Sequence, residues 1–134
     1  MLKSYCRVLN VGLLLILLSG CGAASTPYHG FTTASGLDNA DSYVLAESVG
    51  GKLDPQLLSK DDQRYTHGGI AYDRMEEGYY QWGVKVFDLG YRDEMYVRDL
   101  APRAFKRDIL DIYDKALQAG FEDEQDHAKQ RSSN

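Results

Sequence analysis

An apolar run near the N-terminus constrains the fold of this chain more than any other feature. Residues 8–18 read VLNVGLLLILL, in which Asn10 alone is polar, and the residues before them carry Lys3 and Arg7 but no acid. A basic start, an apolar stretch of about a dozen residues and small residues after it are typical of a secretory signal peptide. The run is too short for a transmembrane helix, which needs about 20 residues. It is also apolar on every face, unlike an amphipathic helix of a folded domain.

The segment Leu18-Ser19-Gly20-Cys21 resembles the lipobox of bacterial lipoproteins, in which two small residues separate an aliphatic residue from a cysteine. This resemblance covers about the first 21 residues. It implies that residues 1–20 are a lipoprotein signal peptide, cleaved between Gly20 and Cys21. It also implies that the Cys21 thiol carries a diacylglyceryl group and that the freed amine is acylated, with palmitate as a typical chain. An ordinary cleaved signal peptide is the alternative.

The residue after this cysteine bears on the destination of the protein. In lipoproteins of double-membraned bacteria, Asp at this place is associated with retention in the inner membrane, and the chain has Gly22 instead. The resemblance therefore implies anchoring in the outer membrane, with the protein facing the periplasm. Two or three acyl chains on one residue suffice for stable anchoring. The expected contact with the lipid bilayer is thus made through acylated Cys21.

The mature chain would have 114 residues and no free thiol. Cys6 would leave with the signal peptide and Cys21 would carry lipid, so the fold would depend on packing without a disulfide. Removal of Lys3 and Arg7 lowers the number of basic residues from 15 to 13 against 20 acids, and the net charge falls from −5 to −7. A balance this acidic argues against nucleic acid as a partner, because nucleic-acid binding needs clustered Lys and Arg.

Composition divides the mature chain into three parts. Residues 21–42 are rich in Gly, Ala, Ser and Thr and are predicted to form a lipidated N-terminus and a flexible tether. Residues 43–121 carry the periodic patterns of a folded domain. Residues 122–134 are polar without apolar periodicity, which predicts a disordered tail.

The first half of the predicted domain reads as a strand and a helix. Residues 43–49 form the predicted strand. Asp54 and Pro55 supply an N-cap and a first helical position. The apolar pattern after them predicts a helix from about Pro55 to Glu77 that ends at Gly78.

The second half reads as two strands and a helix. Residues 79–88 alternate apolar and polar side chains and form the best predicted strand, with residues 95–98 as a short antiparallel partner. Pro102 opens a predicted helix that ends near Gly120, with Arg107 and Asp111 as an exposed pair four residues apart. The order β-α-β-β-α predicts a small two-layer α+β sandwich, ferredoxin-like without its last strand. A mostly helical domain with one hairpin is the alternative.

A second resemblance concerns the order of these elements. Small proteobacterial lipoproteins of unknown function show a Tyr-x-Val strand and a glycine, then a helix that ends in Gly-Tyr and an aromatic strand. The chain is similar in the order of Tyr43-Val44, Gly50, Gly78-Tyr79 and Trp82-Gly83-Val84. This resemblance implies no activity.

The polar residues show no catalytic or metal-binding pattern. His67 is the one histidine within a predicted structured segment, and without a spacing such as HExxH it is expected on a solvated helix surface. Glu76 and Glu77 are the candidates for a carboxylate pair, but adjacent helical residues diverge by about 100° and are expected to face solvent. The sequence therefore predicts a non-enzymatic protein without cofactor or metal.

Aromatic residues are the remaining hint of function, with nine Tyr, four Phe and one Trp in the mature chain. On the predicted strand, Tyr80 and Trp82 share one face, and Tyr79 and Phe87 share the other. These side chains either form the core of a disulfide-free domain or expose one set as a protein interface. We expect an envelope lipoprotein that binds another envelope protein or assists envelope assembly. The alternative is a periplasmic ligand-binding lipoprotein, or one that inhibits an enzyme in an immunity role.

Overall fold

A computed structural model describes residues 34–60 and 64–134 of the chain. These residues form a mostly helical domain with one small two-stranded antiparallel sheet, which is loosely compatible with the predicted mixed α+β class. The elements in chain order are α1 (Ala34–Glu47), α2 (Pro55–Leu58), β1 (Tyr65–His67), β2 (Ile70–Tyr72), α3 (Arg74–Asp88), α4 (Glu94–Phe105) and α5 (Asp111–Ser132). The order β-α-β-β-α and the ferredoxin-like sandwich are not confirmed. The observed elements agree instead with the alternative of a mostly helical domain with one hairpin.

Helix α3 is the centre of the domain, with α2, α5 and β2 packed around it. Its start is fixed by a capping box, in which Asp73 accepts from the N–H of Glu76 and the Glu76 carboxylate accepts from the N–H of Asp73. In its middle, the fully buried Trp82 donates to the hydroxyl of Ser48, just beyond α1, at 2.8 Å. Local capping thus fixes the start of α3, and one buried hydrogen bond joins its middle to the segment that follows α1.

Two glycines bring the backbones of α3 and α5 into close contact. A Cβ on Gly83 would lie 2.1 Å from the carbonyl oxygen of Leu117, and a Cβ on Gly120 would lie 2.0 Å from that of Tyr80. Real Cβ atoms essentially never approach other atoms so closely. The prediction that Gly120 ends a helix is therefore wrong, because this glycine lies inside α5 and serves a helix crossing.

The strands predicted from alternation are wrong. Residues 43–47 belong to α1, residues 79–88 to α3 and residues 95–98 to α4. In α3 the buried set includes Tyr79, Tyr80, Trp82, Gly83, Val86 and Phe87, which follows helical spacing over a wide arc. Because neighbouring elements cover several sides of α3, alternate positions are apolar as well, and this produced the strand-like pattern.

The long helix predicted from Pro55 to Glu77 is also wrong, although its start is confirmed. Asp54 caps α2, with its side chain accepting from the N–H of Gln56 and with Pro55 at the first helical position. Helix α2 ends at Leu58, and a hairpin follows in which Tyr65 pairs with Tyr72 and His67 with Ile70. Gly68 and Gly69 both have positive φ, at 55° and 83°, as the tight turn of such a hairpin requires. Gly78 does not end a helix, because it lies inside α3. A Cβ at this position would lie 2.2 Å from the carbonyl oxygen of Pro55.

The predicted boundaries of the domain need correction at both ends. Helix α1 begins at Ala34, within the predicted tether, and Ala40 is buried. Helix α5 runs to Ser132 through the predicted disordered tail, because Ala128 packs on the core and ion pairs such as Arg131–Glu124 line the exposed side. Cys21, the predicted signal peptide and the tether up to residue 33 lie outside the described residues. In the part that is described, no helix combines the length and the hydropathy of a membrane span.

Candidate functional site

The four aromatic residues predicted as an interface belong to the core. Tyr79, Tyr80, Trp82 and Phe87 are each at most 5% exposed. Tyr79, for example, stacks on Tyr113 with ring centroids 4.6 Å apart. The prediction of an exposed aromatic set is therefore wrong, because α3 is a helix enclosed by its neighbours and not a strand with a free face. The account of these residues as core is confirmed.

His67 was expected on a solvated helix surface, and the structure instead places it on β1 against a buried carboxylate. Its Nε2 lies 2.6 Å from Oε2 of Glu77, which is 3% exposed. The other carboxylate oxygen of Glu77 accepts from Nε2 of Gln81 at 2.8 Å. Glu77 therefore faces the protein interior, contrary to the prediction, and both of its oxygens have partners.

The same histidine connects the hairpin to α3 and α5. Its ring stacks on Tyr80, with centroids 3.8 Å apart, and lies against Tyr72 on β2. The Tyr80 hydroxyl donates to Asp123 of α5 at 2.8 Å, and burial together with this hydrogen bond raises the pKa of Tyr80. We call His67, Tyr72, Glu77, Tyr80 and Asp123 the His67 cluster.

The contacts of the His67 cluster favour a structural role. A histidine held by a carboxylate is also an acid–base arrangement. Here, however, the carboxylate is buried and both of its oxygens have partners, and the ring is stacked on Tyr80 and lies at an angle to Tyr72. Among residues 34–60 and 64–134, no group of three or more His, Cys, Asp or Glu side chains could hold a metal ion. The cluster therefore holds the hairpin on the helices.

A second polar cluster fixes the direction of α1. Asp41 accepts hydrogen bonds from the hydroxyls of Tyr91 and Tyr96, each at 2.5 Å. Burial and the bond to Asp41 raise the pKa of Tyr91. Asp41 thus contacts the first turn of α4, whereas Val49, just after α1, lines a groove with Phe105 at the end of α4. Helices α1 and α4 therefore run in the same direction.

That groove is the candidate functional site, and we call it the Arg107 groove. It has a volume of about 140 Å³ and lies between the end of α1, helix α2 and the end of α4. Its lining is partly apolar and partly polar: Ser48, Val49, Asp54, Pro55, Gln56, Met75, Phe105 and Arg107. Val49 is 51% exposed, and Leu57, on α2 beside the groove, is 57% exposed.

Arg107 supplies the unusual charge of this groove. Its Nη2 donates to the hydroxyl of Tyr79 at 2.7 Å, a neutral partner. No carboxylate of the described residues lies within ion-pairing distance of Arg107, whereas Arg98 pairs with both Asp114 and Glu94. Asp54, in the same groove, uses its two oxygens for the N–H groups of Gly50 and Gln56. The groove therefore presents a guanidinium beside apolar walls.

The predicted ion pair between Arg107 and Asp111 is wrong for a local reason. Helix α4 ends at Phe105, and Lys106 takes a left-handed conformation with φ 54°. Asp111 opens the separate helix α5, so the two residues are not four apart on one helix face. A sequence signal for the end of α4 is the run RAFKRDIL at residues 103–110. In this run three cations come before Leu110, which is exposed.

The chain matches no known protein family, and neither a curated protein nor a solved structure is significantly similar to it. The resemblances to lipobox proteins and to small proteobacterial lipoproteins stay predictions from the sequence.

Proposed function

We propose that the protein is a lipid-anchored, non-enzymatic component of a bacterial envelope, most simply of the outer membrane, and that its domain binds another envelope protein through the Arg107 groove. The observation that carries the binding proposal is Arg107 itself, a cation in a partly apolar groove that has no carboxylate partner within ion-pairing distance among the described residues. The anchoring proposal is supported by the sequence from Leu18 to Cys21.

The direction of α1 supports a groove that is accessible when the chain is anchored. The tether would enter the domain at Ala34, and the groove lies beyond the other end of this helix, at Val49. A helix of 14 residues is about 20 Å long, at about 1.5 Å per residue. The groove would therefore open about 20 Å from the point where the anchored segment joins the domain. This separation leaves room for a partner.

The size of the groove favours a protein partner over a small ligand. Pockets for small molecules usually have volumes of about 300–1,000 Å³, and this groove has about 140 Å³. Such a volume suits one side chain of a partner. Exposed apolar residues beside it, such as Leu57, extend the surface that a protein could cover.

Site-specific photocross-linking in intact cells tests the binding proposal. A photoreactive residue at position 57 is expected to give a discrete cross-linked product, and Arg107→Glu in the same chain should remove it. The matched control is a photoreactive residue at Met95, which is 72% exposed at the start of α4, away from the groove. Equal products from both positions, or a product from position 57 that survives Arg107→Glu, would contradict the proposal.

A further inference from the structure

We infer that the Arg107 groove recognises an acidic segment of the partner protein, in which a Glu or Asp side chain lies next to an aliphatic one. This inference rests on the proposed function, since it names the chemistry of the partner at that same groove. The geometry behind it is a guanidinium in the lining of a partly apolar and partly polar cleft that holds about one side chain.

The orientation of Arg107 suits a carboxylate. Its Nη2 is fixed by the hydroxyl of Tyr79, whose ring is 1% exposed and stacked on Tyr113. A guanidinium has five N–H donors in a planar fork, so donors remain for two parallel bonds to one carboxylate. Met75 and Val49 offer apolar contact beside it. The groove can therefore accept one aliphatic side chain, while a carboxylate next to it binds the exposed guanidinium of Arg107.

The charges around the groove favour an acidic segment over a single terminal carboxylate. Arg103 and Lys106 lie within four residues of Arg107, at the end of α4, and both are exposed. Neither has a carboxylate within ion-pairing distance in the described part of the chain. Residues 103–111 carry three bases against two acids, Asp108 and Asp111, and so a net charge of +1 in a protein with more acids than bases. A segment with more than one carboxylate complements these bases.

The acids of the chain's own last helix are engaged elsewhere. Asp123 accepts from Tyr80, and Glu124 pairs with Arg131. Asp126 pairs with Lys129. A second copy of this chain would have to give up these contacts in order to place its acidic run in the groove. This favours a different protein as the occupant.

Peptide titration followed by nuclear magnetic resonance of the folded protein tests this inference. The probe is the blocked peptide acetyl-Gly-Leu-Glu-Gly-Leu-Glu-amide, and its control has Gln at both Glu positions. We expect saturable shifts of backbone amides around residues 48–57 and 103–107 with the Glu peptide. With the Gln peptide, binding should be at least about tenfold weaker, because the charge-assisted hydrogen bonds are lost.

Variants of the protein assign the carboxylate to Arg107. Arg107→Ala should weaken binding of the Glu peptide about tenfold or more, and Arg107→Lys should have an intermediate effect because the bidentate geometry is lost while the charge is kept. The matched control Lys85→Ala removes an exposed cation of α3 that does not line the groove, and it should change the affinity by no more than about threefold. Melting curves of the variants establish that each is folded.

Four outcomes would overturn the inference. The first is equal binding of the Glu and Gln peptides, and the second is an equal loss with Lys85→Ala and Arg107→Ala. The third is binding of a peptide with a free terminal carboxylate and no acidic side chain in preference to the Glu peptide. The fourth is self-association of the protein that Arg107→Glu abolishes, which would assign the groove to a second copy. If the cellular cross-link at position 57 depends on Arg107 but the Glu peptide does not bind, the proposed function stands and this inference fails.

Discussion

Replacement of Gly83 by Ala tests the close packing of α3 against α5, on which the whole domain depends. The new Cβ would lie 2.1 Å from the Leu117 carbonyl oxygen and 2.9 Å from the Phe121 nitrogen. Ordinary contacts begin at 3.4 Å, so the two helices would have to separate by about 1 Å. Overpacking of this kind costs about 1–3 kcal/mol. Here the upper end applies, because the clash is with helical backbone that cannot rotate away.

The intrinsic preference of helices for Ala acts in the opposite direction. Ala is favoured over Gly by about 1 kcal/mol inside a helix, so the net loss of unfolding free energy should be about 2 kcal/mol. For a domain of roughly this size, 1 kcal/mol changes the Tm by about 4–8 °C. The circular-dichroism melting curve of Gly83→Ala should therefore lie about 8–16 °C below that of the unsubstituted protein.

Gly68→Asn is the matched control for this experiment. Gly68 has nothing within 4 Å of a Cβ position, and Asn tolerates the left-handed backbone that this turn requires. Its Tm should stay within about 3 °C of the unsubstituted protein. A Gly83→Ala variant with a higher Tm than the unsubstituted protein would refute the close approach of the helices. Such a result would mean that the higher helix propensity of Ala acts without any steric clash.

Two further predictions concern the buried polar groups. His67→Ala takes away one of the partners of the buried Glu77 carboxylate and should lower the free energy of unfolding, measured in urea, by about 3 kcal/mol. The control His127→Ala breaks an exposed pair and should lower it by less than about 1 kcal/mol. Equal losses in the two variants would contradict the structural role of the His67 cluster. Burial is the main cause that raises the pKa values of Tyr80 and Tyr91, so the folded state favours their neutral phenols. The resulting stabilisation of the folded state is complete below about pH 10, and it is lost as the pH rises through the folded-state pKa values of the two tyrosines. Ultraviolet titration of the folded protein should therefore show some phenols that ionise at higher pH than the rest. Tyr80→Phe should have fewer of these phenols. Ionisation of all the tyrosines in a single phase near pH 10 would contradict this prediction.

The parts of the fold that could be predicted from the sequence depend on local chemistry. Asp54 and Pro55 start α2 as predicted, because an N-cap and a fixed φ act within one turn. The alternating apolar residues of α3 match a half-buried strand, and this led to the wrong prediction for residues 79–88. A local signal for a helix is nevertheless present, because Asp73 followed by Glu76 forms the capping box that starts α3. Gly83 and Gly120 acquire their role from a helix crossing that no local pattern contains.

The candidate site was missed for a related reason. Arg107 and Asp111 have the spacing of a helical ion pair, and this prediction assumed one continuous helix. The left-handed Lys106 ends α4 and leaves Arg107 at the groove. Glu77 and His67 are both predicted to face solvent on one helix from about Pro55 to Glu77, and that prediction does not contain the turn at Gly68 and Gly69. That turn brings the two side chains together.

The mass of the mature N-terminal peptide, measured on protein from the membranes of a double-membraned bacterium, tests the anchoring on which the proposed function depends. We expect a chain that begins at Cys21 and carries a diacylglyceryl group and an amide-linked acyl chain, recovered in the outer-membrane fraction. Cys21→Ser should lose both the lipid and the membrane association. A mature chain that retains residues 1–20, or that has an unmodified Cys21 thiol, would contradict lipid anchoring.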